Sequence, residues 1–156
     1  MAILLAACDE KTNTTPTTQQ PLSSTDPVLT TSVVVTDQTS GGFEIDARSD
    51  SSTFENKSDQ PATFVFKAEG TWTWAVDGAM VAPDGVTTGL AGKGYYLPGA
   101  PSFALLAKRA DNSYQLIGKA SELVLRPHEV ISFVMNDLVN GLADNHGKLK
   151  VSWTKK

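Results

Sequence analysis

From Phe43 to the C-terminus the large apolar residues fall on every second position, in short runs. Phe43, Ile45 and Ala47 alternate with Glu44 and Asp46. Phe64, Phe66 and Ala68 alternate with Thr63, Val65, Lys67 and Glu69, and Ile131, Phe133 and Met135 with Val130, Ser132 and Val134. Leu149, Val151 and Trp153 alternate with Lys148, Lys150 and Ser152. Phe103, Leu105 and Ala107 mark a further run, followed by Tyr114 to Ile117 and by Leu123 with Leu125. A period of two puts one set of side chains on each face of a strand. The runs end at Gly, Pro, Asn or Asp, where turns are expected. No segment keeps an apolar helical stripe for three turns, so helices should be few. The pattern predicts an all-β fold, an antiparallel two-sheet β-sandwich over residues 43–156.

Upstream the pattern stops. Residues 9–42 are crowded with Thr, Ser, Pro and Gln up to Thr31, and such a segment buries too little apolar surface to offset its ordering entropy. It reads as a disordered tether, with Val33-Val34-Val35 as either a first strand or sticky linker and Ser40-Gly41-Gly42 as a break. The single cysteine, Cys8, follows Ile3-Leu4-Leu5 and sits in Leu5-Ala6-Ala7-Cys8, so no disulfide can form within the chain. Residues 1–8 resemble a shortened bacterial lipoprotein signal ending in a lipobox, which implies lipidation of Cys8, a membrane anchor, and a place in the bacterial cell envelope. The signal has no basic residue before the cysteine.

Charge narrows the functional classes. The net charge is −4 and only 19% of the 156 residues are charged, without a basic stripe, so nucleic acid is excluded as a partner. Lys148, Lys150, Lys155 and Lys156 read as the wet face of the last strand. No apolar run is long enough to span a bilayer as a helix.

Chemistry concentrates in Asn136 to Gly147, between the last two predicted strands. Asp137 and Asp144 offer two charges, Asn145 a neutral oxygen, and the turn at Gly141 a main-chain carbonyl. Calcium takes six to eight such hard oxygens in a tolerant geometry. The EF-hand spacing is absent. The same composition also fits an ordinary polar turn.

The order Asn136-Asp137, Asp144-Asn145, Gly147 and a closing strand Lys148 to Trp153 resembles the end of the PA-I type galactophilic calcium-dependent lectins. Ala68-Glu69-Gly70-Thr71-Trp72-Thr73-Trp74 is similar to that family's Ala-x-Gly-x-Trp strand end, and Phe103 to Ala107 with Leu116-Ile117-Gly118 to two of its inner stretches. The resemblance spans about 110 residues and is densest in the last twenty. It implies a PA-I lectin-like, galactose-binding-domain-like sandwich and a calcium site on Asp137, Asp144 and Asn145, with main-chain oxygens near Gly141 and Trp74. It further implies sugar contacts from Asp137, Asp144 and Asn145, and from the Pro83-Asp84 pair through Asp84. The family flanks that pair with His and Gln; here Ala82 and Gly85 stand in those places, so galactose itself is doubtful.

Other candidates are weaker. Trp72 and Trp74 fit a sugar platform or the core, and Tyr95-Tyr96 a pocket border or a loop anchor. His128 and His146 are too far apart for a zinc motif, and His146 reads as a solvated turn residue. No nucleophile sits in a recognisable catalytic context, and no P-loop is present, so the chain is not expected to be an enzyme. The reading is a lipid-anchored, calcium-dependent, carbohydrate-binding module for a glycan or polysaccharide, with several copies or a homo-oligomer raising avidity. The alternative is a structural or interaction lipoprotein that kept the sandwich without binding sugar.

Overall fold

In the computed structural model, which describes residues 27–156, the alternating runs become strands and no α-helix forms among the described residues. In chain order they are β1 Ser32–Val35, β2 Ser40–Asp46, β3 Ser52–Asn56, β4 Ala62–Thr73 and β5 Val86–Leu90. Then follow β6 Pro101–Ser102, β7 Leu105–Arg109, β8 Tyr114–Leu116, β9 Ala120–Leu125, β10 Val130–Met135 and β11 His146–Lys155. Five strands form one sheet in the order β1-β3-β10-β7-β8, and four form the other in the order β2-β11-β4-β9. β5 and β6 make a small ribbon outside both. Every pairing is antiparallel except β1 with β3.

Phe54 joins the layers. It projects from β3 and meets Phe64 and Phe66 of β4 edge-on, each at 5.0 Å between ring centroids, and Trp153 of β11 at 5.3 Å. Phe133 of β10 crosses the same gap to Phe43 at 5.3 Å and Phe66 at 5.5 Å. Edge-to-face rings at these distances gain quadrupole attraction beyond the area they bury. The predicted β-sandwich is thus present, with its core between the five- and four-stranded sheets.

The differences from the sequence reading have physical causes. β3 escaped the apolar pattern because its inward residues are Ser52, Phe54 and Asn56. Asn56 is fully buried, and its amide donates to Gln60 O, Leu125 O and Arg126 O, which removes the cost of burying it. Phe103 was expected on a strand, but the strand begins at Leu105. The 43–156 boundary falls too late, since β1 and the start of β2 belong to the sheets. Leu29 N–H donates to Asp46 Oδ2 at 3.2 Å and Thr31 Oγ1 to Glu44 O at 3.0 Å, so the chain before β1 lies along the β2 edge. Burial pulls the Asp46 carboxyl upward, but the Arg48 guanidinium and amide and the Leu29 amide outweigh it and hold it below its ordinary value. Such a group adds stability above its unfolded pKa that is lost as the pH falls through the folded one. Residues 1–8, with Cys8, and the tether up to residue 26 lie outside the described residues.

Because Phe54 touches four rings of the core, Phe54→Ala should cost about 3–5 kcal/mol. Urea denaturation checks this; a loss below about 1 kcal/mol would show that another contact joins the sheets.

Candidate functional site

β10 lies in the middle of one sheet and β11 inside the other, so the chain between Met135 and His146 must cross from layer to layer. Asn136 begins the crossing, fully buried. Its Oδ1 accepts from Leu97 N–H at 2.9 Å, and its amide donates to Leu97 O at 3.1 Å and Pro101 O at 3.0 Å. Its main chain accepts from Phe103 N–H at 2.7 Å and donates to Ala104 O at 2.8 Å. These bonds pin the crossing to the segment that leads into β7.

Asp137 follows, only 6% exposed. Leu138 N–H donates to its Oδ1 at 2.7 Å, and Tyr96 N–H donates to its main-chain oxygen at 3.0 Å. Asn140 takes a left-handed φ of 70°, and Gly141 N–H closes the turn onto Leu138 O at 2.8 Å. A Cβ at Gly141 would stand 3.6 Å from Asp137 Oδ1, which puts that backbone beside the carboxylate. A single 3-10 turn, Leu142–Asp144, returns the chain to Asn145. Gly147 then sits at φ 96° with its α-hydrogen against Thr71 O and Trp72, an approach only glycine allows, and β11 begins its long pairing with β4.

Asn145 is fully buried and its amide donates to Ala47 O at 3.3 Å and toward Met135 Sδ at 3.4 Å. Its Oδ1 is buried with no hydrogen-bond partner. Burial raises the neighbouring Asp137 carboxyl above its ordinary value; Leu138 N–H and the Asn145 amide pull it down, and the exposed Asp144 carboxylate pushes it up again. An unsatisfied carbonyl oxygen and an under-neutralised carboxylate side by side form an environment short of positive charge. No three His, Cys, Asp or Glu side chains among the described residues are placed to hold a metal. The loop's donors are instead two carboxylates, an amide oxygen and main-chain carbonyls, a hard-oxygen set that fits calcium rather than zinc.

The structure therefore brings Asp137, Gly141, Asp144 and Asn145 into one loop. Trp74 flanks it. β4 ends at Thr73, opposite His146, and the Trp74 ring stacks on Phe103 at 4.4 Å and 10°. Trp72 is core, with Nε1–H donating to Phe103 O at 2.9 Å. Asp84 is tied elsewhere: its Oδ1 accepts from Lys119 N–H at 2.7 Å and its Oδ2 lies 3.4 Å from Lys119 Nζ. Gly85 has φ 70° and faces backbone, since a Cβ there would come within 2.3 Å of Ser102 O. His146 is not a solvated turn residue: it is 5% exposed, because β11 starts there, and its Nε2 has no hydrogen-bond partner. His128 lies on the surface beside Asp59, with Nε2 3.0 Å from Oδ1.

The sequence offered Tyr96 as a pocket border or loop anchor, Asn136 as half of the Asn136-Asp137 pair and Phe103 as a strand residue, but not the hydrogen bonds and ring stacking that join them. Those partners lie 33 to 39 residues from Asn136 in the chain, so no local pattern announces them.

No protein-family model and no curated protein sequence matches this chain. Among solved structures it is similar to one described as "EclA N-terminal domain; PllA-like lectin", with 21% identity over 76% of this chain and 97% of that one, at a TM-score of 0.51. At that identity the likeness carries the fold alone, a two-sheet β-sandwich.

Proposed function

We propose that this domain is a calcium-dependent carbohydrate-binding module of the bacterial envelope. The observation that carries the reading is the unpartnered, buried Asn145 Oδ1 beside the buried Asp137 carboxylate. Asp137, Asp144 and Asn145 would hold the cation, with main-chain oxygens near Gly141 and Trp74. Bound calcium would supply positive charge and open coordination positions for two sugar hydroxyls. The carboxylates of Asp137 and Asp144 would accept hydrogen bonds from those hydroxyls and so orient them. Cys8 would carry the lipid that tethers the module to a membrane, and several copies would raise avidity.

A second reading keeps the fold without sugar binding. It is favoured by Gly85, where no side chain fits, and by Asp84, whose carboxylate is engaged by Lys119. A glycan array run with calcium and again with chelator separates the two. We expect chelator-sensitive signal on some glycans and weak signal on simple galactosides; an array blank under both conditions would leave the second reading.

Calcium at a hundredfold excess over Kd should add about 2.7 kcal/mol of stability. For a domain of this size that lifts the melting midpoint by on the order of 10 °C. Asp137→Asn should give two opposite changes. A carboxyl raised by burial contributes stability below its unfolded pKa and loses it as the pH rises through the folded one, so the charge is a burden at neutral pH without a cation. The variant should then melt higher than wild type in chelator and gain nothing from calcium. Equal melting of the wild type in calcium and chelator would refute the metal reading.

Cys8→Ser, expressed with its native leader, should move the protein from the membrane to the soluble fraction while leaving its melting midpoint unchanged. One acyl chain holds a bilayer only marginally, so stable retention in the wild type would reflect several chains on that cysteine. A Cys8→Ser protein that still sediments with membranes would argue against the anchor.

A further inference from the structure

Residues 94–103 add little to the two main sheets, yet they are tied to residues 136–139 along their whole length. Val139 N–H donates to Gly94 O at 2.9 Å, Tyr95 forms an isolated bridge with Leu138, and Tyr96 N–H donates to Asp137 O at 3.0 Å. Leu97 and Pro101 bond to the Asn136 side chain, and Phe103 N–H to its main-chain oxygen. One four-residue segment thus carries the Asp137 carboxylate and also forms the template for this loop.

What the loop presents is aromatic. Phe103 has φ 63°, a strained conformation for a bulky residue, in which glycine or asparagine would sit more easily. It is held there from both sides, by Trp72 Nε1–H on its carbonyl oxygen and by Asn136 O on its N–H. The result is a ring stacked flat on Trp74, with the Tyr95 ring 6.2 Å away. All three rings are only half-buried. Leu138 and Val139, 49% and 53% exposed, stand on the cation loop beside them. Trp74 and Phe103 pack against the core, and backbone strain of this kind gathers at ligand sites.

Resting on the calcium-dependent reading above, we propose that residues 94–103 with Trp74 form the second wall of the site. This wall takes the apolar face of a pyranoside whose hydroxyls meet the cation loop. Asn136 is the positioning residue that joins the two walls. Cation binding and the placement of the aromatic wall are then linked, and the linkage is reciprocal.

The test uses the full chain with calcium alone as the first probe. Trp72 and Trp153 are buried, so acrylamide quenching of tryptophan fluorescence reports mainly on Trp74. In the wild type, calcium should reduce quenching and slow amide exchange at Tyr96 and Leu97 by roughly tenfold. Asn136→Ala should bind calcium on the order of tenfold more weakly and lose that protection, while core amides such as Val151 keep theirs. If calorimetry shows calcium binding to the wild type but neither quenching nor exchange changes, the linkage is refuted, and this measurement requires no variant. Absence of any calcium heat removes the calcium reading and the proposal with it. On the glycan array with calcium, Phe103→Tyr should keep the wild-type pattern and Phe103→Leu should lose about tenfold of the same signals. A leucine variant that binds as well as wild type would overturn the aromatic wall while leaving the calcium site standing.

Discussion

The crossing from β10 to β11 is the constraint on which the rest of this molecule depends. Each of these strands is flanked on both sides within its sheet, so the connection between them must pass across the end of the core rather than around an edge. Where the crossing is buried, at Asn136 and Asp137, main-chain polar groups are out of reach of water and must find partners. Asn136 meets that demand with its side chain and backbone together, and in doing so recruits residues 94–103 as the partner surface. The loop geometry follows from hydrogen-bond satisfaction, before any ligand is considered.

Among the described residues two buried side-chain atoms have no hydrogen-bond partner, Asn145 Oδ1 and His146 Nε2, and both lie at the end of this crossing. Asn56, another buried amide, uses its nitrogen on three carbonyls and accepts from Ser58 Oγ at 2.8 Å. Asn145 donates through its nitrogen and leaves its oxygen bare, facing a loop that already holds a buried carboxylate. A structural turn would be expected to resolve this with a nearby donor, as the Arg48 guanidinium resolves Asp46. Asp46 is held below its ordinary value by the Arg48 guanidinium and amide and the Leu29 amide, whereas burial raises Asp137 and no basic side chain offsets it.

The sandwich can carry this cost because its stability arises elsewhere. Phe54, Phe64, Phe66, Phe133 and Trp153 interlock between the sheets, deep in the core. A strained Phe103 and an under-neutralised Asp137 at the end of the layers can persist because the surroundings over-determine them.

The sequence by itself determined the two-sheet layering, because alternation at Phe64-Phe66-Ala68 or Leu149-Val151-Trp153 fixes which face is buried whatever the partner strand. It also determined which loop gathers oxygens, since Asp137, Asp144 and Asn145 lie within one short connection. Tertiary structure alone decided the rest. β3 could not be read because its inward Ser52 and Asn56 are acceptable only beside the carbonyls of Gln60, Leu125 and Arg126. Lys119, brought against the Asp84 carboxylate, is likewise a partner that no local pattern announces. Phe103 matched the strand period and left it, because the hydrogen bonds that hold its φ at 63° come from Trp72 and Asn136, 31 residues before it and 33 after. Local pattern specifies which face of a strand is buried; which distant group satisfies a buried polar atom is decided only when the layers close.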